Sequence, residues 1–451
     1  MNISVFGLGK LGLCTAACFA ARGHQVVGYD ANPEVIRALL AHQNPVQETG
    51  LDDLLAQAWP NLTISDNPAA AVRDTEVSLI IVPTPSQPDG RFSNHAVAAV
   101  LGIIGPVLRH QKTFHVVDVV STVMPGSSDQ VFRPLLEKLS GKTCGRDFGL
   151  VYNPEFIALG SVIHNFLNPD LVLIGASDPR SGDLMRRLYQ SACHDQANIA
   201  VMSLINAEIT KLSLNCFITM KISFANELAA LCERIPGAEA DVITQALGAD
   251  TRIGAKCLKG GLGFGGPCFP RDNLAFQALA RDADWEVRLA PKVVRINRSI
   301  PERLVRLLRR HLSPPGRVAL LGLAYKPDTP IVEESQSLMV AQQLAQSGFA
   351  VQVHDPQALE QARDVLGDLV TYCPDPQACV KGSAAVVLLT NWPLYARLDW
   401  PTLAELAGPE PILLDCWGTL RGKDLATFRY LCLGVGTGAT EDLIYAPAAN
   451  L

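Results

Sequence analysis

Apolar residues follow two rhythms along this chain. Short β-rich runs come first, at Ile3–Phe6, Gln25–Tyr29, Val77–Val82, His115–Val120 and Val172–Ile174. Helical patterns lie between most of them, and such alternation predicts a parallel sheet covered by helices. From Met202 to Pro236 the rhythm changes. Ile205, Ile209, Leu212, Phe217, Met220, Phe224, Leu228 and Leu231 keep a helical spacing with no Gly or Pro between them. The spacing predicts one helix longer than most in globular proteins. Further helix is expected over Ala238–Gly248, Asn273–Ala283 and Pro291–Leu312, the last interrupted near Pro301. Pro314-Pro315-Gly316 then breaks the chain. Strands resume at Arg317–Leu323, Ala350–His354, Ala385–Leu389 and Pro411–Asp415. The expected fold is α/β: two Rossmann-like doubly wound parallel-sheet domains, over 1–200 and 314–451, joined by an all-helical domain over 201–313.

Composition narrows the function classes. Hydrophobic residues make up 48% and charged residues 18%, which excludes a disordered chain. With 38 basic and 44 acidic residues the net charge is -6, so no dominant nucleic-acid surface is expected, though a local basic pocket for a small anion stays open. The N-terminus enters a strand without a basic, apolar leader, and runs such as Val77–Val82 are far too short for a membrane span. A cytoplasmic protein with reduced thiols is expected. None of the 12 cysteines forms a C-x-x-C pair and the nine histidines show no metal spacing, so no metal site is expected.

Gly7-Leu8-Gly9-Lys10-Leu11-Gly12 follows a strand and opens a helix, and Asp30 ends the next strand. Gly7 allows the tight turn, Gly9 lets a pyrophosphate approach the backbone, and Gly12 lets helix and strand pack closely. An acid at Asp30 suits a ribose hydroxyl pair and repels a 2′-phosphate, favouring NAD over NADP. A second signal is Gly260–Cys268, with five glycines in the seven residues 260–266. That density forbids a stable helix interior and suits close backbone approach to a ligand. Cys268 ends this loop beside Arg271 and Asp272, cationic and acidic neighbours suited to a reactive thiol.

Lys211 and Asn215 lie four apart on the long helix and share a face. Taken alone, this stripe reads as a solvated one with a Glu208–Lys211 pair, although Asn215 has buried-looking neighbours. Asn153-Pro154-Glu155-Phe156 and Ser121-Thr122-Val123 fall at the C-terminal ends of strands, where open α/β sheets bind ligands. Each also reads as a capped turn.

Taken in order, these motifs resemble the UDP-glucose/GDP-mannose dehydrogenase family over the whole chain. The resemblance is carried by Val82-Pro83-Thr84-Pro85, Ser121-Thr122-Val123, Asn153–Phe156, Ala207–Lys211 with Asn215, Lys221–Glu227, Arg252-Ile253-Gly254 and Gly263–Asp272. It implies an N-terminal NAD domain, a central dimerisation domain and a C-terminal nucleotide-sugar domain. Gly7, Gly9, Lys10, Leu11, Gly12, Asp30, Pro83, Thr84, Ser121 and Thr122 would hold NAD. The implied reaction is a four-electron oxidation of a sugar C6 alcohol to a carboxylate, with two NAD reduced. Cys268 would form a thiohemiacetal and then a thioester. Lys211 and Asn215 would stabilise the oxyanion, while Asp272, Thr122 and Glu155 would organise the hydrolytic water. Glu155, Phe156, Lys211, Asn215, Lys259, Gly263, Phe264, Gly265, Gly266 and Lys326 would contact the nucleotide-sugar, and Arg252 would reach the partner subunit's sugar in a homodimer. UDP-glucose is the first expectation for the substrate.

Three positions depart from the family pattern: Leu159 for a second glutamate, Glu333 for an arginine, and Trp417 where Asp-x-Arg is common. They leave open another nucleotide-sugar, GDP-mannose or a UDP-N-acetylhexosamine, or an oxidation stopping at two electrons. A hydroxyacid-type dehydrogenase would need neither Cys268 nor a third domain. A non-enzymatic sensor on the same scaffold is the remaining alternative.

Overall fold

The computed structural model describes residues 1–157, 160–194 and 197–436. They form two compact units. The first is Met1–Leu214 with Ala278–Asp284, and the second is Asn215–Gln277 with the chain from Trp285 onward.

The first unit holds an eight-stranded sheet: β1 (Asn2–Phe6), β2 (Gln25–Tyr29), β3 (Leu62–Ile64), β4 (Val77–Ile80), β5 (His115–Val119), β6 (Phe148–Tyr152), β7 (Val172–Ala176) and β8 (Ile199–Met202). Their order is β3-β2-β1-β4-β5-β6-β7-β8. The order reverses between β1 and β4, which creates the crevice where such sheets bind ligands. All pairs are parallel except β6 with β7, where Val151 faces Ala176. The expected parallel sheet is thus broken at one pair, and β7 and β8 extend it beyond the six-strand core. Three strands escaped the sequence pattern. β3 has only three residues, β8 is half-buried throughout, and β6 contains Gly149. A Cβ at Gly149 would lie 1.8 Å from Ser181 Oγ, so close packing there requires glycine. Helix α1 (Lys10–Ala21) packs Leu13, Cys14 and Phe19 on one sheet face, with Ile3, Val5, Leu79, Val116 and Val151. The other face, with Phe6, Ile80, Val117 and Leu150, is covered by residues such as Leu101 and Ile104.

The second unit holds an all-parallel six-stranded sheet: β9 (Arg317–Leu321), β10 (Ala350–His354), β11 (Thr371–Tyr372), β12 (Ala385–Leu388), β13 (Ile412–Asp415) and β14 (Arg429–Cys432). Its order, β11-β10-β9-β12-β13-β14, repeats the six-strand core of the first. The long helix expected over 202–236 spans Leu204–Cys232, and the division between the units falls within it after Leu214. The helix Leu289–His311 passes through Pro301 without the expected interruption. Ile300, Leu304, Val305 and Leu308 bury one face of it in the second unit's core, and this packing outweighs the one main-chain donor that proline removes.

Candidate active site

At the first sheet's crevice the glycine turn is shaped by sterics. Gly7 has φ 95°, and a Cβ there would lie 2.1 Å from the Ile81 carbonyl oxygen. A Cβ on Gly12 would lie 1.8 Å from the Gly7 carbonyl oxygen. A Cβ on Gly9 would meet nothing within 4 Å, so the N-terminus of α1 is open to an approaching group. The open cradle at a helix N-terminus fits a pyrophosphate. Asp30 holds the turn: Oδ2 accepts the Leu8 N–H at 2.6 Å and Oδ1 accepts the Asn32 N–H at 2.8 Å. Lys10 and Leu11 open α1 directly behind.

The ends of β4 and β5 are laced together beside this turn. Ser121 Oγ accepts the Val82 N–H at 2.9 Å and donates to the Val82 carbonyl at 2.7 Å. Thr84 Oγ1 donates to the Thr122 carbonyl at 2.7 Å, and Pro83 just before it is exposed. Next, after β6, stands Glu155. Its carboxyl accepts a hydrogen bond from the Tyr189 hydroxyl at 3.4 Å. Burial raises its pKa to about 7, with the Lys211 charge opposing. Leu159 lies outside the described residues.

Helix α2 (Leu204–Cys232) brings the stripe residues in, and the stripe is not solvated. Glu208 is fully buried and makes no pair with Lys211. Its carboxylate accepts the N–H groups of Gly126 at 2.6 Å and Ser128 at 2.9 Å. Lys211 is buried too. Its Nζ donates to the Glu155 carbonyl at 2.7 Å and lies 4.6 Å from the Phe156 ring centroid. The solvated reading failed because the partners are main-chain groups far away in sequence.

In the second unit, Asn215 on the same helix donates from Nδ2 to Asp272 Oδ2 at 2.6 Å. Asp272 sits in the first turn of helix α3 (Phe269–Asp282), where its N–H donates to the Cys268 carbonyl at 2.9 Å. Arg271 Nε stands 3.5 Å from Asp272 Oδ1. Cys268 is exposed and immediately precedes α3, at a helix end that favours negative charge. The Tyr325 hydroxyl is pushed up to about 12, first by burial and then by the nearby Cys268 sulfur.

Two asparagines that sequence reading left without a role clamp the glycine loop. Asn226 Oδ1 accepts the Gly261 N–H at 2.9 Å, and Asn297 brackets Phe264, accepting its N–H at 2.8 Å and donating to its carbonyl at 2.9 Å. Their signal was a buried amide on an otherwise apolar helix face. Gly266 donates its N–H to the Glu333 carbonyl at 2.9 Å. A Cβ on Gly265 would lie 2.4 Å from the Glu334 carbonyl oxygen, and one on Gly266 2.6 Å from the Tyr325 ring. Trp417 covers Gly261, where a Cβ would meet its ring at 2.7 Å, and its Nε1 donates to the Leu389 carbonyl at 2.7 Å. Gly263 is closed in by Asn297. Lys326 Nζ lies 5.9 Å from the Tyr325 ring centroid.

Arg252 and Lys259 each pair with an acid outside the glycine loop. Arg252 is 87% exposed and pairs with Asp250 at 2.6 Å, on a turn that Lys221 Nζ holds through the Ile253 and Gly254 carbonyls. Lys259 Nζ is 3.8 Å from Asp241. Among the described residues, no group of three or more His, Cys, Asp or Glu side chains could hold a metal ion, and no helix is long and apolar enough to cross a membrane. A basic cleft of about 350 Å³, lined by Lys112, Phe114, Lys142, Arg146 and Arg180, opens at the opposite ends of β5 and β6, away from the glycine turn.

Comparison with known proteins matches three family models. They are the NAD binding domain of the UDP-glucose/GDP-mannose dehydrogenase family over residues 1–193, its central domain over 205–299 and its UDP binding domain over 319–422. A UDP-glucose 6-dehydrogenase of Rhizobium meliloti is 34% identical over 447 residues, covering 96% of this chain and 99% of the relative. A solved UDP-glucose dehydrogenase from Pyrobaculum islandicum superposes with a TM-score of 0.86 at 35% identity, covering 96% and 98% of the two chains. A UDP-D-ManNAc dehydrogenase from Pyrococcus horikoshii has a TM-score of 0.82 at 26% identity, covering 97% and 100%.

Proposed function

The chain belongs to the UDP-glucose/GDP-mannose dehydrogenase family, and we propose that it oxidises the C6 alcohol of a UDP-sugar, UDP-glucose first, to the carboxylate. It is an NAD-dependent oxidoreductase of that family, and its first domain is the family's NAD-binding domain. NAD, when bound, supplies the hydride acceptor for both oxidations. Gly7, Gly9, Lys10, Leu11 and Gly12 would hold its phosphates, Asp30 its ribose, and Pro83, Thr84, Ser121 and Thr122 the end beside β4 and β5.

The observation that carries the reading is an exposed Cys268 at the end of the clamped glycine loop, one helical turn before the Asp272 that holds Asn215. The Cys268 sulfur bonds to the C6 aldehyde carbon and the carbonyl oxygen takes up a proton, giving a thiohemiacetal. Loss of a hydride and that proton leaves a thioester. Water attacks it, the C–S bond breaks, and the carboxylate and the thiol remain. Lys211 and Asn215 donate to the oxygen on which charge develops. One Lys211 donor is used on the Glu155 carbonyl, which fixes the direction of the ammonium. Glu155 takes a proton from the attacking water, and Asp272 and Thr122 orient it. Phe156 and Lys326 with Gly263, Phe264, Gly265, Gly266 and Lys259 form the nucleotide-sugar contacts. Residues 1–200, 201–313 and 314–451 divide the work into cofactor binding, dimerisation and nucleotide binding.

A homodimer is part of the reading. Phe217, Phe224 and Leu231 recur every seventh residue on α2 and are 59%, 51% and 53% exposed, an apolar face suited to a second copy. Arg252, largely exposed beyond its pair with Asp250, would cross to the partner's sugar. A cytoplasmic setting agrees with the thiols, since none of the 12 cysteines is in a disulfide.

A second reading rests on Trp417. An indole, not a cation, covers Gly261, and that would favour a different nucleotide-sugar such as GDP-mannose or a UDP-N-acetylhexosamine, or a two-electron stop. Absorbance at 340 nm with a panel of nucleotide-sugars separates the two. Two NADH per UDP-glucose with a carboxylate product supports the first reading. One NADH, or turnover confined to another sugar, overturns it.

A further inference from the structure

The basic cleft of the first unit has no part in the proposed reaction. It is built where the sheet departs from a fully parallel arrangement. Lys112 and Phe114 lead into β5, and Lys142, Arg146 and Asp147 lead into β6. These strands are parallel and pair from their first residues, His115 with Phe148, so both approaches lie at one sheet end. Arg180 follows β7. Because β7 runs antiparallel to β6, it ends where β6 begins, and the helix Pro179–Ala192 opens there. In an all-parallel sheet Arg180 would stand at the other end, with the glycine turn.

The cations are held in place by the protein itself. Arg180 stacks on the Phe114 ring, its guanidinium carbon 3.9 Å from the centroid. Lys142 donates from Nζ to the Gln111 carbonyl. Arg146 forms a two-pronged pair with Asp147 at 3.1 and 2.8 Å, and Asp147 also accepts the Thr143 N–H at 2.9 Å. Asp178, beside Gly145, is taken up by its own helix end. It accepts the Ser181 N–H at 2.9 Å, Ser181 Oγ at 2.6 Å and Ser177 Oγ at 2.9 Å.

Among the described residues, the lining sets four cations against one acid, Asp147, an excess of three positive charges. The chain as a whole carries -6. A cleft lined by one sign of charge focuses the field and draws in the opposite ion. Its volume of about 350 Å³ lies at the small end of ligand sites, which suits a small molecule and not a polymer. Arginine forks match phosphate oxygens, and lysines add point charges. Phe114 offers no platform for a base, because Arg180 covers its ring and its edge packs at Gly149.

We propose that this cleft binds a small polyphosphate anion through its phosphate chain. Ser121, Thr122 and Glu155 follow the opposite ends of β5 and β6, so the cleft can fill while the sites there are occupied.

The test is titration calorimetry of the full chain with inorganic triphosphate, without magnesium, in saturating NADH and UDP. Those two ligands block the other phosphate sites and allow no turnover. One site per chain should remain, and it should weaken as salt rises. Lys112→Ala and Arg146→Ala, both at exposed positions, should each weaken it about tenfold, the loss of one charge-assisted contact. Lys112→Glu, a second change at the same exposed position, should abolish it. Lys423→Ala, at an exposed position of the second unit, should leave it unchanged. ATP should bind no more tightly than inorganic triphosphate, since the base meets no partner. Absence of a remaining site, or an affinity indifferent to Lys112→Ala and Arg146→Ala, overturns the site. A clear preference for ATP overturns recognition through the phosphate chain.

Discussion

Removing the Glu208 carboxylate should destabilise the first unit far more than loss of a surface charge. The side chain is fully buried and accepts two main-chain N–H groups, from Gly126 and Ser128. Hydrogen bonds to a charged group contribute about 1.5–3 kcal/mol each. Burial works against the ionised form and raises the pKa of this carboxyl, so the lower end applies. Glu208→Ala should therefore cost about 3 kcal/mol, and Glu208→Gln, which keeps one acceptor oxygen, about half of that. In a unit of about 200 residues this lowers the transition by roughly 6–12 °C. Scanning calorimetry with and without NAD reads it directly. The same variant should weaken NAD binding, because the segment Glu208 anchors begins just after Ser121-Thr122-Val123. A Glu208→Ala protein within about 0.5 kcal/mol of wild type would return Glu208 to the surface and refute the reasoning.

The same geometry sets four other outcomes. Glu155 is raised to about 7 by burial, and as the proposed base it works only when ionised, so kcat should fall as pH drops through about 7 in a steady-state profile. Cys268→Ser should stop the four-electron turnover, and full acid formation in that variant would remove the thioester from the mechanism. Gly261→Ala sets a methyl against the Trp417 ring and should raise KM for the nucleotide-sugar about tenfold, or ~1.4 kcal/mol, with Trp417→Ala in the same chain recovering part of it. Phe224→Glu places a charge on the exposed α2 face and should shift sedimentation toward a monomer, while an unchanged dimer would move the interface elsewhere.

The legible part of the sequence was local. Gly7, Gly9 and Gly12 act within one turn, and Asp30 ends the adjoining strand, so spacing alone conveys their geometry. The long helix was legible because no Gly or Pro interrupts its 29 residues. The hidden part depends on distant partners. Glu208 meets Gly126 and Ser128 about 80 residues away, and Asn297 meets Phe264 across 33. A single-residue reading of Glu208 weighs only its charge, and so assigns it to water. The buried Asp118 was passed over for the same reason, as a polar letter set between valines.

The two sheets show why one glycine motif was visible and its counterpart was not. In the first, Gly7 donates to the Tyr29 carbonyl at 2.8 Å and Asp30 accepts the Leu8 N–H. In the second, Gly322 donates to the His354 carbonyl at 2.8 Å and Asp355 accepts the Leu323 N–H at 2.7 Å. The strand-end device is the same, down to the acid. The two turns differ in how soon a helix begins. After β1 the chain enters α1 three residues beyond Gly7, so the helix N-terminus itself offers N–H groups to a phosphate and the glycines must recur at close spacing. After β9 the chain passes Lys326 without forming a helix and begins one only at Gln336. No helix end lies close behind Gly322, so the spacing that identifies the first site is not needed. The cation Lys326 is left as the group suited to a phosphate there, and the same stretch, through the Glu333 and Glu334 carbonyls, braces the glycine loop that ends in Cys268.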